Sequence, residues 1–225
     1  MVTLSVSDAW LAGYPGAIVG MMVVGNMDNS QKSPLLTAEK KEMETFLRQH
    51  ITSKNDIVEH PIIQAYTAYY KKFRKSYHVL LQAESVALKG RSIPNINSAV
   101  AAMFMAELKN YLLTAGHDLA AIKDPVLLDI AKGVEVYTKL NGEQQTLKAG
   151  DMMVADEVNV LSSIIYGPDH RSRIKEDTKN ALFVVYAPPG VPEVNVSDHL
   201  QDIYRYIQLF SPSAAILQSE LFCAN

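Results

Sequence analysis

The sequence is poor in cysteine, in tryptophan and in net charge. Cys223 is the one cysteine among 225 residues, so no internal disulfide and no cysteine-rich zinc site can form. That usage fits a reducing compartment, and a cytoplasmic location is expected. The formal net charge of -3 argues against a uniformly basic nucleic-acid binder but leaves room for a local basic face. The apolar stretch Ala17 to Val24 is broken by Gly20 and is too short to cross a bilayer. No basic segment precedes it, so neither a membrane partner nor an export signal is expected. The phosphate-binding GxxxxGK[ST] loop, GxGxxG, GxSxG and HExxH are all missing. The six histidines are scattered, so no metal site is expected, and no cofactor is implied.

What is present is an ordinary globular composition, 48% hydrophobic and 20% charged, enough to bury a core. Ala17 to Val24 reads as a buried strand. Thr37 suits the cap of a helix over Ala38 to His50, and Pro61 the first turn of a helix over Ile62 to Phe73. Helices are also expected over Val79 to Leu88 and over the nearly all-apolar run Asn97 to Leu113. Short strands are expected at 126–131, 134–140, 152–155, 160–165 and 181–186, with Asn141-Gly142 as a tight hairpin turn. A last helix is expected over Asp198 to Phe210. Helices come first and strands later, which indicates an α+β fold in a single domain over 1–225.

Two stretches carry charge that can do chemistry. The first is Tyr69-Tyr70-Lys71-Lys72-Phe73-Arg74-Lys75-Ser76-Tyr77, with Lys89 and Arg91 beyond the next helix. Cations neutralise phosphates and exposed aromatics stack on unpaired bases, so Lys71, Lys72, Arg74, Lys75, Lys89 and Arg91 are candidate nucleic-acid contacts. The alternative is a solvated helix end with the tyrosines in the core. The second stretch, Asp169 to Asn180, is a polar loop entering an apolar strand. Arg171 and Arg173 can hold a phosphate or carboxylate there, and Thr178 and Asn180 can shape the turn.

Three segments, in order, resemble a known family. Ile93-Pro94-Asn95-Ile96-Asn97-Ser98-Ala99-Val100 is similar to an "I-x-P-I-N-x-V-V" entry into a buried helix. Gly116-His117-Asp118-Leu119-Ala120-Ala121-Ile122 stands where the family has a "DLDKI"-like turn. Asp177-Thr178-Lys179-Asn180-Ala181-Leu182-Phe183-Val184-Val185 is close to "DTKNVLFVV". Met152 to Glu157 resembles its "VVYADDE" strand and turn. Together they resemble the tRNA-editing B3/B4 domain of the phenylalanyl-tRNA synthetase beta subunit in free-standing form, over about 55–189. Residues 1–54 then form an N-terminal strand and helix extension, and 190–225 a C-terminal helical tail.

The resemblance implies helices packed on a β-sandwich-like core. It also implies a pocket for the aminoacylated 3′ end of tRNA and hydrolysis of a mischarged ester by positioned water. On that basis His117 and Asp118 are the catalytic candidates, and Asn97, Arg171, Arg173, Thr178 and Asn180 the substrate-binding ones. His117 either positions water or acts as a general base, or else it is a structural histidine capping a turn. The family's pocket positions carry Met103, Phe104, Ala115 and Val184, so a tyrosine hydroxyl lacks its partners here. The alternatives to a trans-acting deacylase are a non-catalytic tRNA or amino-acid binding module, and an interaction domain using exposed tyrosines of the second helix.

Overall fold

A computed structural model describes residues 2–30, 33–94 and 96–225. The chain begins with strand β1 (Leu4–Val6), helix α1 (Asp8–Gly13) and strand β2 (Ile18–Gly25). Helices α2 (Pro34–His50), α3 (Asn55–Val58), α4 (Pro61–Lys72), α5 (His78–Ala87) and α6 (Ser98–Asn110) follow. Strand β3 (Leu113–Asp118) opens the β-rich half, which continues with β4 (Val126–Ile130), β5 (Val136–Thr138) and β6 (Gln144–Thr146). Strands β7 (Met152–Ala155), β8 (Val160–Ser163), β9 (Gly167–Pro168) and β10 (Ala181–Ala187) complete that half. Helix α7 (Glu193–Gln208) and strand β11 (Ala215–Cys223) end the described order. The α+β class holds.

Among the described residues, the strands build a sheet of order β1-β4-β7-β8-β9, a sheet of order β11-β2-β10-β3, and the β5-β6 hairpin. The register of β10 on β3 sets Leu182 opposite His117, Val184 opposite Ala115 and Tyr186 opposite Leu113. Side chains alternate along a strand, so these share one face. That face meets the first sheet, where the Tyr186 hydroxyl lies 2.7 Å from Ser162 Oγ of β8. The opposite face, with Thr114 and Gly116, meets the helices: Thr114 Oγ1 lies 2.6 Å from His199 Nε2 of α7. The β11-β2-β10-β3 sheet is thus covered on both sides, by the other sheet and by α6 and α7. Its central strands β2 and β10 read as unbroken apolar runs for that reason.

Several expectations need correction. The long helix ends at Asn110, not Leu113, because Tyr111 adopts a left-handed φ of 57° and breaks it. Leu113 then starts β3, a strand where only a turn was expected. The helix is buried as expected, but it packs chiefly on α7 and β3, with α2 and α5 beside it, more than on β10. The C-terminal segment is not wholly helical: β11 pairs antiparallel with β2. Near the N-terminus Ser7 caps α1 through its Oγ, which accepts from Trp10 N at 3.1 Å. Segments before residue 55 and after 189 therefore lie inside the same sheet as β10, with β2 between β10 and β11.

Candidate functional site

A cavity of about 390 Å³ opens between α5, α6, β3 and the segment around Arg173. Helix α6 supplies Val100, Met103, Phe104 and Glu107, and α5 supplies His78 and Gln82. Thr114 and Gly116 of β3 form the floor, and Ile96, Leu140 and Ile174 add apolar rim and wall. At Gly116 the side chains of Ile174 and Met103 come close to the backbone. A Cβ at this position would lie 2.8 Å from Ile174 Cδ1 and 3.3 Å from Met103 Sδ.

The cavity's polar groups are held by named partners. Glu107 is 3% exposed, and its Oε1 accepts from Thr114 N at 2.8 Å. Burial pushes its carboxyl up to about 8, so it keeps a proton at neutral pH. His78 Nδ1 lies 3.0 Å from the Tyr70 hydroxyl, and burial pushes its imidazole down to about 4, leaving it neutral. Behind the floor, His199 is likewise pushed down by burial to about 3 and rests against Thr114 Oγ1 and Asn110 Nδ2. The Gln82 Oε1 atom is buried without a hydrogen-bond partner among the described residues.

The segments expected to flank the site do meet. Asp118 N donates to Ser172 O at 2.6 Å and Leu119 N to Asn180 O at 2.9 Å. Yet they meet as strand-like pairing, and the cavity lies on the other face of β3. His117 is fully buried on the inter-sheet face, between Ser172 Oγ at 2.7 Å and Ser162 Oγ at 3.1 Å. Burial, then the nearby Arg171 charge, push its imidazole down to about 3. It is neutral, and the 4.0 Å approach of Asp169 is no ion pair. His117 therefore holds the two sheets together and does not reach the cavity.

Asp118 caps the short 3-10 turn at 119–121, accepting from Ala120 N at 3.1 Å, and takes Thr178 Oγ1 at 3.0 Å. Asn97 caps α6 by accepting from Val100 N at 2.9 Å. Arg171 grips both oxygens of Asp156 at 2.9 Å. Asn180 Oδ1 accepts from Asn26 N at 3.2 Å. Of the candidates in the loop and turn, Arg173 lines the cavity; it is half-buried, and its Nη1 donates to His170 O at 2.6 Å. Of the family's pocket positions, Met103 and Phe104 line the cavity, whereas Ala115 and Val184 face the other sheet.

The cationic stretch divides in two. Lys71, Lys72, Arg74, Lys75, Lys89 and Arg91 are all exposed, but the last two lie beyond the far end of α5. Tyr69, Tyr70, Phe73 and Tyr77 are buried, at 2%, 1%, 7% and 1% exposure. The aromatic platforms expected for base stacking are thus core residues, and the tyrosines of α4 offer no interaction surface. Their hydroxyls tie α4 to the β half: Tyr69 donates to Asp151 Oδ1 at 2.8 Å and Tyr70 to Ile164 O at 2.5 Å. Sequence reasoning passed over Glu107, Gln82, His78 and Thr114. Glu107 carried a usable signal, as the lone acid in the apolar run of α6.

Among the described residues no helix is long and apolar enough to cross a membrane. No curated protein matches the chain. An N-terminal fragment of the phenylalanyl-tRNA synthetase beta subunit from Pyrococcus horikoshii matches in structure with a TM-score of 0.50 at 14% sequence identity. The match covers 98% of this chain and 50% of that one, so the chain spans about half the fragment's length, and the likeness is one of fold. The B3/4 domain family matches residues 66–197, from Tyr66 of α4 to Ser197 of α7. That range takes in α5, α6, β3 and the Arg173 segment, and it is more than half of the sequence: the chain belongs to the B3/4 domain family.

Proposed function

We propose that this chain receives the aminoacylated 3′ end of a tRNA in the α6–β3 cavity and promotes hydrolysis of a mischarged ester. The observation that carries the reading is a largely apolar cavity of about 390 Å³, walled within the family's matched region and with Arg173 in its lining. Apolar walls with a few placed polar groups are the usual makeup of a small-ligand site. Val100, Met103 and Phe104 would hold the amino-acid side chain, and Arg173 a phosphate near the ester. Lys71, Lys72, Arg74 and Lys75, just before His78 on the chain, would meet the RNA backbone. The Thr114 hydroxyl of the floor is engaged with His199 Nε2 at 2.6 Å, and hydrolysis would rest on positioning the ester and water.

The test is deacylation of a panel of aminoacylated tRNAs by purified protein. Release above the spontaneous rate, confined to one or a few amino acids with apolar side chains, is expected. Failure to accelerate any member would remove the catalytic reading. A second reading, a non-catalytic binding module, is favoured by the sealed position of His117. It predicts that the protein slows spontaneous deacylation instead.

A further inference from the structure

Three histidines are pushed by burial well below the ordinary imidazole range, His78 to about 4, His117 and His199 to about 3. His117 and His199 have both ring nitrogens engaged. His78 differs. Its Nδ1 lies 3.0 Å from the Tyr70 hydroxyl, and that hydroxyl gives its single proton to Ile164 O at 2.5 Å. A carbonyl can only accept, so in the pair with His78 the imidazole donates and the phenol oxygen accepts. A neutral imidazole carries one proton. Here it sits on Nδ1, and Nε2 is left with a bare lone pair. Nε2 has no hydrogen bond among the described residues, yet it is not one of the sealed unpaired atoms, as Gln82 Oε1 is. It is therefore open, on a half-buried ring that lines the α5–α6–β3 cavity.

We propose that His78 is the catalytic base of this cavity, its Nε2 accepting a hydrogen bond from the attacking water and taking its proton. The proposal rests on reading the cavity as an aminoacyl-ester site. The water oxygen bonds to the ester carbonyl carbon, the carbonyl electron pair moves onto its oxygen, and one water proton passes to Nε2. As that pair returns, the bond from carbon to the ribose oxygen breaks and the proton on Nε2 goes to the leaving oxygen. A free amino acid and a bare tRNA 3′ end result, and Nε2 is unprotonated again. Tyr70 is a positioning residue. The reverse tautomer would set the Nδ1 lone pair against the phenol oxygen, whose proton is already given to Ile164 O, so Tyr70 holds both the tautomer and the ring.

The base should stay active on the acid side of neutrality. Tyr70 and Tyr77 pack their rings near His78, with centres 5.9 and 5.7 Å away, and burial pushes both phenols up, so they are neutral. Glu107 and Arg173 share the cavity lining; burial pushes Glu107 up to about 8, and Arg173 is a permanent cation. A base works while unprotonated, and His78 remains so until the pH approaches 4.

The experiment uses the whole chain and the aminoacyl-tRNA of the panel that it hydrolyses fastest. In His78→Asn the amide nitrogen can still donate to Tyr70, but nothing stands at Nε2. Its kcat should fall about 100-fold or more, with KM and melting temperature close to wild type. In the wild type, acceleration over the spontaneous rate should persist down to about pH 5, where an ordinary imidazole would already be mostly protonated. Nitrogen-15 NMR of the histidine side chains should find the His78 proton on Nδ1 and Nε2 bare. A His78→Asn variant that keeps kcat, an acceleration lost with a midpoint near the ordinary imidazole value, or a proton found on Nε2 would each overturn the proposal. If the panel is hydrolysed and His78→Asn keeps kcat, the base falls alone and the proposed function stands. If no member of the panel is hydrolysed, the proposed function falls and takes the base with it.

Discussion

Glu107 is a residue whose burial costs stability in a pH-dependent way. Its folded pKa is raised to about 8 from an ordinary value of 4.5. Below the unfolded value both states are protonated and no penalty exists. As pH rises from about 4.5 to 8 the unfolded chain loses a proton that the folded chain keeps, so stability falls. The shift corresponds to a ceiling of about 4 to 5 kcal/mol. Glu107→Gln keeps an oxygen for Thr114 N and removes the ionisation. Its melting temperature should match wild type near pH 4.5 and exceed it increasingly toward pH 8; equal pH dependence in the two proteins would mean that Glu107 titrates normally. Tyr66 has the opposite character, a polar atom fully used. Its hydroxyl accepts from Leu113 N at 3.0 Å and donates to Tyr186 O, while its ring stacks on Tyr77 at 4.3 Å. Tyr66→Phe keeps the stack and strands a buried N–H and a buried carbonyl. A loss of roughly 1 to 3 kcal/mol in denaturant unfolding is expected.

At the scale of elements, two glycines mark where helices close on the same sheet, and they should respond differently to valine. A Cβ at Gly20 of β2 would stand 2.7 Å from Val196 Cγ1, 3.1 Å from Leu200 Cδ1 and 3.2 Å from Leu221 Cδ2. Gly20→Val forces α7 outward and should cost roughly 1 to 3 kcal/mol. At Gly116 the nearest atoms are the side-chain ends of Ile174 and Met103 beside the cavity, so Gly116→Val should cost less stability than Gly20→Val while filling the site and abolishing the proposed hydrolysis. The reverse ranking of stabilities would show that the cavity is closed. Legibility follows the same division. The strands β2 and β10 are readable because cover on both faces demands an unbroken apolar run. Strand β3 hides because Leu-Thr-Ala-Gly-His-Asp mixes a floor for the cavity with an inter-sheet histidine. Strand β11 hides because it is half exposed and its register shifts between Ile216 and Gln218. The loop candidates misled because Arg171, Thr178 and Asn180 look free in one dimension, whereas folding brings each its partner. Of the cavity's polar groups Glu107 was legible as the one acid in the apolar run of α6, whereas His78, Gln82 and Thr114 come from α5 and β3, which only folding brings beside it.

For the whole molecule, the proposed function requires a chain of net charge -3 to attract RNA. Between Lys71 and Arg91 six cations face one acid, Glu84, and Lys54 Nζ already pairs with Glu84 Oε1 at 2.8 Å. Lys148, whose Nζ donates to Phe73 O, brings a further cation to the same side. Part of this charge is engaged with aromatic faces: Lys72 Nζ lies 5.5 Å from the Tyr14 ring centre and Lys75 Nζ 5.7 Å from that of Tyr166. Helix α5, whose ten residues span about 15 Å, separates Lys71 to Lys75 from Lys89 and Arg91. Two clusters at that spacing suit two stretches of phosphate backbone better than one point of attachment. With the aromatics of this region buried, binding should be electrostatic and insensitive to base identity. The triple variant Lys71→Ala, Lys72→Ala, Lys75→Ala should bind tRNA more weakly, with the log-log salt slope reduced by about 0.7 to 0.9 for each phosphate no longer neutralised. If the cavity reads the side chain as proposed, its preference among amino acids should persist, because the cavity is untouched. Filter binding at several salt concentrations measures the slope, and the melting temperature of the same variant checks the fold. An unchanged slope would leave these lysines as a solvated helix end, whereas a lowered melting temperature would show that they support the fold and not the RNA.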